Sequence, residues 1–97
     1  MKLDEFIDAI QVHQKVMGVK SHVASKFSPQ NLRKQWEENA AKSTEQSVPL
    51  FYIVYKPVTV VFEEGGPVPH MDCTVAKATF NKDDETLLAG NVPPWEF

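Results

Sequence analysis

The spacing of apolar residues changes once along the chain, between residues 42 and 48, and this change constrains the fold most. Before it, apolar residues recur every three or four positions, as on one face of a helix. After it, the run SVPLFYIVYKPVTVVF (residues 47–62) is rich in β-branched and aromatic side chains, which favour strands. A chain with its helices first and its strands second belongs to the α+β class. We predict two or three N-terminal helices packed in two layers on a three- to four-stranded antiparallel sheet.

Two helices are predicted from apolar stripes and end signals. The first has a stripe that starts at Leu3, and Gly18 follows it as a residue that commonly ends helices. The second begins at Ser28, a preferred N-cap residue, with Pro29 at the first helical position. A short helix between these two is predicted to start near Ser21.

The strand boundaries depend on prolines and glycines. Pro57 cannot donate a hydrogen bond to a neighbouring strand, so it marks a turn or a position on a sheet edge, and we favour a turn near Lys56. Two glycines and two prolines in residues 65–69 predict a second bend. Residues 71–80 then predict a further strand, and residues 86–89 a short helix or an edge strand.

Length and composition favour one folded domain. The 97 residues suffice for one hydrophobic core, and we divide them into a helical part (1–42), a sheet part (48–90) and a tail (91–97). No apolar run reaches the roughly 20 residues that span a bilayer, so no membrane association is expected. The start MKLDEFIDAI carries acids where a signal peptide has an apolar stretch, so we expect a cytoplasmic chain. Cys73 is the single cysteine and cannot form an internal disulfide.

Charge is distributed unevenly along the chain. No acidic residue occurs from Ala9 to Trp36, where an even distribution of the 13 acids would place about four. Residues 49–97 contain three lysines and seven acids, a net charge of −4. We predict a molecule that is basic at one end and acidic at the other.

The segment EEGGPVPHMDC (residues 63–73) concentrates side chains that can bind metals. Strand alternation places His70 and Asp72 on one face, and Glu63 or Glu64 would have to approach across a hairpin to complete a site. Catalytic zinc normally needs three protein ligands. We therefore predict a polar bend without a metal or cofactor, and a metal-dependent hydrolase remains only a weaker third hypothesis. The chain has no GxSxG nucleophile motif and no phosphate-binding glycine loop, so we expect no enzymatic activity.

A basic segment, HVASKFSPQNLRKQWEE (residues 22–38), resembles a helix-turn-helix. The residues that carry the resemblance are Ala24, Phe27, Ser28, Leu32 and Trp36. The segment departs from that pattern because Phe27 meets Ser28 directly, without the usual glycine in the turn. The resemblance implies a nucleic-acid-binding domain with the later β-hairpin as a wing. Its contacts to bases or phosphates would come from Lys26, Gln30, Asn31, Arg33 and Lys34.

The strand LFYIVY (residues 50–55) is apolar on both faces, and this pattern leads to our principal hypothesis. A strand of this kind is covered on both sides, and in a small domain one cover can be another protein. We interpret the chain as a small non-enzymatic binding protein of the adaptor or inhibitor type, of the kind carried by phages and mobile elements. The expected partner is a protein, contacted by the basic face of the second helix and by an aromatic surface of the sheet. The aromatic contacts are assigned to Tyr52, Tyr55, Trp95 and Phe97. The two last residues belong to the VPPWEF tail, which either docks on the core or acts as a linear motif, and a homodimer formed through a sheet edge is a further expectation.

Overall fold

Helices occupy the first half of the chain and strands the second, as the change of spacing predicts. The structure, a computed structural model, describes residues 1–90. The helices are α1 (Leu3–Val16), α2 (Ser21–Ala24), which continues into a 3-10 turn (Ser25–Phe27), and α3 (Pro29–Lys42). The strands are β1 (Ser47–Phe62), β2 (Gly66–Asn81) and β3 (Leu87–Ala89). The α+β prediction is confirmed.

The ends of the helices follow from local side-chain chemistry. The Ser28 hydroxyl accepts a hydrogen bond from the backbone N–H of Asn31 at 3.3 Å, and Pro29 occupies the first helical position. Gly18 follows α1 with a φ of +67°, a left-handed conformation that glycine adopts without strain. Both ends were predicted from the sequence.

The three strands form one antiparallel sheet in the order β1-β2-β3. β1 and β2 pair over their full lengths, from Ser47 opposite Asn81 to Phe62 opposite Gly66. β3 pairs only with the end of β2, at Thr79 and Phe80. Residues 86–89 therefore contribute an edge strand and no helix.

The turn that we favoured near Lys56 is wrong, because β1 runs through Pro57 without a break. Pro57 lies opposite Met71 in the register. In β1 the backbone groups of Phe51 point away from β2: its N–H donates to the Gln35 side chain at 2.8 Å, and its carbonyl accepts from the same amide at 3.0 Å. Pro57 is six residues further along and shares this orientation, so it removes no hydrogen bond from the β1–β2 ladder.

All four prolines of the hairpin share this outward orientation. Pro49 and Pro57 are odd-numbered residues of β1, and the register pairs odd residues with odd residues. Pro67 and Pro69 of β2 lie opposite Val61 and Thr59, so their nitrogens point away from β1. A long hairpin thus accommodates four prolines because none of them interrupts its ladder.

The hydrophobic core lies between the helices and one face of the sheet. The Phe6 ring packs edge-to-face on Tyr52 and Phe80, with centroid distances of 5.2 and 5.3 Å. The indole N–H of Trp36 donates to the Val48 carbonyl at 3.3 Å. The core residues are Leu3, Phe6, Ile7, Ile10, Leu32, Trp36, Val48, Leu50, Tyr52, Ala78 and Phe80.

The outer half of the hairpin projects from this core. The radius of gyration is 15.6 Å, against about 12.5 Å for a globular chain of this length. The longest dimension is 54 Å, which a 16-residue strand spans at roughly 3.3 Å per residue. No helix within residues 1–90 is long and apolar enough to cross a bilayer.

Helical side chains cap the free edge of β1 near the core. Gln35 bonds both backbone groups of Phe51, and Asn39 donates to the Pro49 carbonyl at 3.1 Å. His13 accepts a hydrogen bond from the outward-facing N–H of Tyr55, four residues after Phe51, at 2.9 Å. Helical side chains thus bond the β1 edge at Pro49, Phe51 and Tyr55.

Candidate functional site

The face of the sheet opposite the helices carries a strip of exposed apolar side chains, which we call the outer strip. It consists of odd-numbered hairpin residues, whose side chains point away from the core. Phe51 is 44% exposed and Val75 68%, and Ile53 lies directly opposite Val75. Further out, Met71 and Val61 are also exposed. Ile53 itself is partly buried, and the odd-numbered Tyr55 is buried beside His13 and does not belong to the strip.

The two tyrosines predicted to contact a partner are both buried. Tyr52 is 1% exposed and belongs to the core, beside Phe6. Tyr55 is 6% exposed, with its ring 6.0 Å from that of His13. Whether they contact a partner stays a prediction, but their rings are not at the surface in this conformation. Trp95, predicted with them, lies outside the described residues, as does Phe97.

Tyr55 and His13 form a buried polar junction between β1 and α1. The Nε2 atom of His13 can accept the Tyr55 N–H only when the imidazole is neutral at that nitrogen. Burial lowers the pKa of His13, which favours this neutral form. Burial also raises the pKa of Tyr55, with a smaller contribution from Cys73 across the strand pair. The Tyr55 hydroxyl is buried and has no hydrogen-bond partner among residues 1–90.

The predicted nucleic-acid-binding residues do not form one free basic surface. Arg33 lies between two carboxylates, bonding Glu85 at 2.8 Å and also pairing with Asp4. These contacts raise the pKa of Arg33 above its ordinary value, and the hydrogen bond to Glu85 has the largest effect. The Asn31 amide donates to the Ser25 carbonyl at 2.7 Å and so stabilises the turn before α3.

The remaining predicted residues of the basic segment are exposed. Lys26, Gln30 and Lys34 lie at the surface, and Lys15 and Lys20 from the same acid-free stretch lie there too. The described part of the chain gives none of these lysines an ion pair. Four lysines of the acid-free stretch are therefore exposed without an ion pair in the described residues, whereas the charge of Arg33 is balanced by two carboxylates.

An open cleft of about 410 Å³ separates the first turns of α1 and α3. It is lined by Asp4, Ile7, Asp8, Pro29, Gln30 and Arg33. Its arginine and one of its two carboxylates already form an ion pair. We assign no ligand to it.

The polar cluster of residues 63–73 surrounds the tip of the hairpin. Glu63 and Glu64 lie in the turn between β1 and β2. His70 lies opposite Val58 and Asp72 opposite Lys56, so the two share one face, as alternation predicts. All of these side chains except the partly exposed Val58 are exposed. Within residues 1–90 no three His, Cys, Asp or Glu side chains come close enough together to hold a metal ion.

The contribution of β2 to the outer strip was not predicted. The predicted apolar surface comprised residues 50–55 alone, although Val75 and Met71 alternate with polar residues in the way typical of a strand. The buried contact of His13 to β1 was a second omission. Both omissions concern the pairing partner of a residue, which spacing alone does not reveal.

Similarity to known proteins adds no functional assignment. No protein-family model matches the chain, and no curated protein and no solved structure matches it either. The function must be argued from the surfaces described above.

Proposed function

We propose that this chain is a small non-enzymatic binding protein of the adaptor or inhibitor type that acts in the cytoplasm. Its partner is another protein, which docks on the outer strip of the sheet. The observation that carries this proposal is the pair of exposed apolar side chains at Phe51 and Val75, with the partly exposed Ile53 directly opposite Val75, on the face opposite the helices.

The two faces of the sheet differ in how they meet solvent. The helix-side face near the core is covered by α1 and α3, with Leu50 and Tyr52 fully buried. On the other face, Val75 and Phe51 stand on neighbouring strands with large exposed fractions. Contiguous apolar patches on monomers commonly mark interaction sites. Full burial of an exposed valine or phenylalanine contributes about 1.5–3 kcal/mol, and the partly buried Phe51 and Val75 would contribute correspondingly less.

Charge also favours an apolar complex at this surface. Lys77, opposite Phe51, is the only charged residue among the pairs from Phe51–Lys77 to Pro57–Met71 on this face. Interface centres are depleted in charged residues, and their rims are polar. We expect a complex whose affinity changes little with salt concentration.

The experiment places a charge on either face of β2. Val75→Glu introduces a carboxylate into the outer strip, and Thr74→Glu introduces the same group at an exposed neighbouring position on the helix-side face. Both tagged variants and the wild type are used to capture partners from the native host, with recovered proteins quantified by mass spectrometry. We expect a protein that wild type and Thr74→Glu recover equally and that Val75→Glu loses by more than about tenfold. A partner that Val75→Glu retains at full level would show that the outer strip is not the docking site.

A second candidate function, nucleic-acid binding through the helices, is favoured by the exposed lysines of the acid-free stretch. Lys26 and Lys34 are both exposed and unpaired within residues 1–90. Arg33 is a poor choice for testing this function, because its replacement would also remove the ion pairs to Asp4 and Glu85.

The two functions differ in their response to salt. Phosphate contacts release counterions, so affinity for duplex falls steeply as salt rises. A titration of the protein against generic duplex at low and high salt, repeated with Lys26→Glu/Lys34→Glu, separates them. Absence of any low-salt association excludes the nucleic-acid function and leaves the docking proposal unaffected.

A further inference from the structure

The outer part of the hairpin, which we call the arm, contains no buried residue. It consists of residues 56–72, which form seven facing pairs and the turn that joins them. β3 pairs with β2 only at Thr79 and Phe80, so within residues 1–90 the arm has two strands and no third. A two-stranded hairpin alone is only marginally stable in water. Packing against a further surface would therefore stabilise the arm.

The helix-side face of the arm is apolar towards the tip of the hairpin. Even-numbered residues of β1 point to this side, as the core residue Tyr52 does. Val60 and Val68 face each other across the two strands, and Phe62 follows them on the same side. Phe62 is 56% exposed and Val68 40%. With the partly exposed Val58 they form a cluster that we call the arm face: Val58, Val60, Phe62 and Val68.

The base of the arm lies beside a basic helix end. His13 accepts the Tyr55 N–H at 2.9 Å, which places the last turn of α1 next to the start of the arm. That turn and the loop after it carry Lys15 and Lys20, both exposed and without an ion pair in the described part of the chain. Val16 follows Lys15 and is 72% exposed. The base therefore presents an apolar side chain together with positive charge.

The tip of the arm has the opposite charge. Glu63 and Glu64 lie in the turn, are exposed, and form no ion pair within residues 1–90. They follow Phe62 directly, so the tip combines an aromatic ring with two carboxylates. Tip and base are thus complementary in charge. The tip and base of one chain cannot meet, because the strand from Tyr55 to Phe62 holds them about 23 Å apart.

We propose that two copies of this chain form a dimer in which the arms pack antiparallel, arm face on arm face, about a two-fold axis near Val60. Val60 lies about midway between Tyr55 and Glu64 along the strand. An axis at this position therefore brings the tip of each copy to the base of the other. A second copy fits both ends at once, because the two-fold axis repeats each contact.

Charge favours the antiparallel arrangement over a parallel one. Parallel arms would bring two acidic tips together and two basic helix ends together, whereas antiparallel arms pair opposite charges. The C-terminus of α1 carries the equivalent of about half a negative charge, which Lys15 and Lys20 outweigh. Packed sheet faces lie about 10 Å apart, a distance at which the side chains of the two arm faces interdigitate.

The contact is small and does not involve the proposed docking surface. Two arms and two helix ends bury no more than the roughly 1,200–2,000 Å² of a standard interface, so we expect a reversible dimer with a dissociation constant on the order of micromolar. The arm face lies on the opposite side of the sheet from Phe51 and Val75 of the outer strip. Failure of the dimer therefore leaves the docking proposal testable, and the reverse also holds.

The first test measures sedimentation of the full chain from low micromolar concentrations to about 1 mM. Phe62→Glu places a carboxylate on the arm face. Val61→Glu, the matched control, adds the same charge to the tip on the other side of the strand, where Val61 is 74% exposed. A charge in an apolar contact is unfavourable. We expect wild type and Val61→Glu to dimerise with rising concentration and Phe62→Glu to weaken dimerisation by more than about tenfold.

The second test reverses the charges at the two ends of the contact. Glu63→Lys/Glu64→Lys at the tip, or Lys15→Glu/Lys20→Glu at the base, places like charges together and should weaken the dimer about tenfold at low salt. A chain with all four changes restores opposite charges and should dimerise like wild type. Far-UV circular dichroism checks that each variant is folded.

Amide hydrogen exchange of the wild type tests the same contact without a variant. The N–H groups of Val58 and Val60 point towards β2, as the register requires. They should gain protection as protein concentration rises and the arms cover each other, while the N–H of Tyr52 in the core stays protected throughout.

Four results would overturn the proposal. They are a monomer at every concentration, a Phe62→Glu variant that dimerises like wild type, a four-fold charge reversal that stays as weak as either reversal alone, and a dimer whose arm amides gain no protection. The last result would mean that the two copies meet at another surface.

Discussion

Gln35 acts as a substitute strand at the edge of β1, and its removal gives the sharpest test of how this sheet is stabilised. Its side-chain amide accepts the Phe51 N–H at 2.8 Å and donates to the Phe51 carbonyl at 3.0 Å, as a neighbouring strand would do. Gln35→Ala removes both bonds and leaves the core unchanged. A hydrogen bond in a folded protein contributes about 0.5–1.5 kcal/mol net, so two contribute about 1–3 kcal/mol.

Solvent reduces this figure, because Phe51 is exposed and water can replace the amide. The higher helix propensity of alanine offsets a few tenths of a kcal/mol more. We therefore expect Gln35→Ala to lower the free energy of unfolding by about 1 kcal/mol. For a chain of this size that corresponds to a fall in Tm of about 4–8 °C.

Urea and thermal denaturation followed by circular dichroism measure this change. Gln30→Ala is the matched control, because Gln30 is on the same helix, is exposed and has no side-chain hydrogen bond within the described residues. If Gln35→Ala and Gln30→Ala agree within the roughly 0.5 kcal/mol scatter of surface substitutions, water replaces the amide without loss and the edge cap does not stabilise the sheet.

Three further perturbations test contacts between distant parts of the chain. The pKa of His13 is lowered in the folded state, so its contribution to stability is complete above the unfolded pKa of about 6.5 and is lost as pH falls through the folded value. Urea midpoints should therefore decrease as pH decreases over this range, and more in wild type than in His13→Gln. The glutamine of this control can still accept the Tyr55 N–H through its amide oxygen. Gly90→Ala should destabilise the chain by about 1–3 kcal/mol in urea denaturation, because Gly90 has a φ of +131° and the added Cβ would lie 2.7 Å from the Cβ of Ala78. An unchanged urea midpoint would contradict that packing. Arg33→Met should destabilise the chain by about 1 kcal/mol at low ionic strength and by clearly less at high salt, because Asp4 is exposed and Glu85 is partly exposed. A loss of stability that does not depend on salt would indicate that Arg33 acts through packing and not through its charge.

The helical half of the fold was predictable because its signals are local. Ser28 caps α3 through a residue three positions away, and Pro29 sets the backbone of its own residue. The apolar stripe of α1 and the stop at Gly18 lie within one helix in the same way. Such features need no knowledge of the remainder of the chain.

The sheet was predictable in type but not in continuity. Whether Pro57 ends a strand depends on which way its nitrogen points, and that direction follows from pairing with Met71, 14 residues further along. The ion pairs of Arg33 could not be predicted for the same reason, because one of its two partners, Glu85, is 52 positions away in the chain. The sequence correctly indicated a two-faced apolar strand, but it did not show that Tyr52 is buried while Val75 is exposed.

The outward prolines of the hairpin also act against mispairing. A slip of β2 by one position relative to β1 would turn Pro67 and Pro69 towards β1, where each would leave a carbonyl without a donor. A slip of β1 would do the same with Pro49 and Pro57. Each strand thus carries two residues that penalise the nearest incorrect alignment, so a hairpin of this length has one favoured partner for every residue even where no helix supports it.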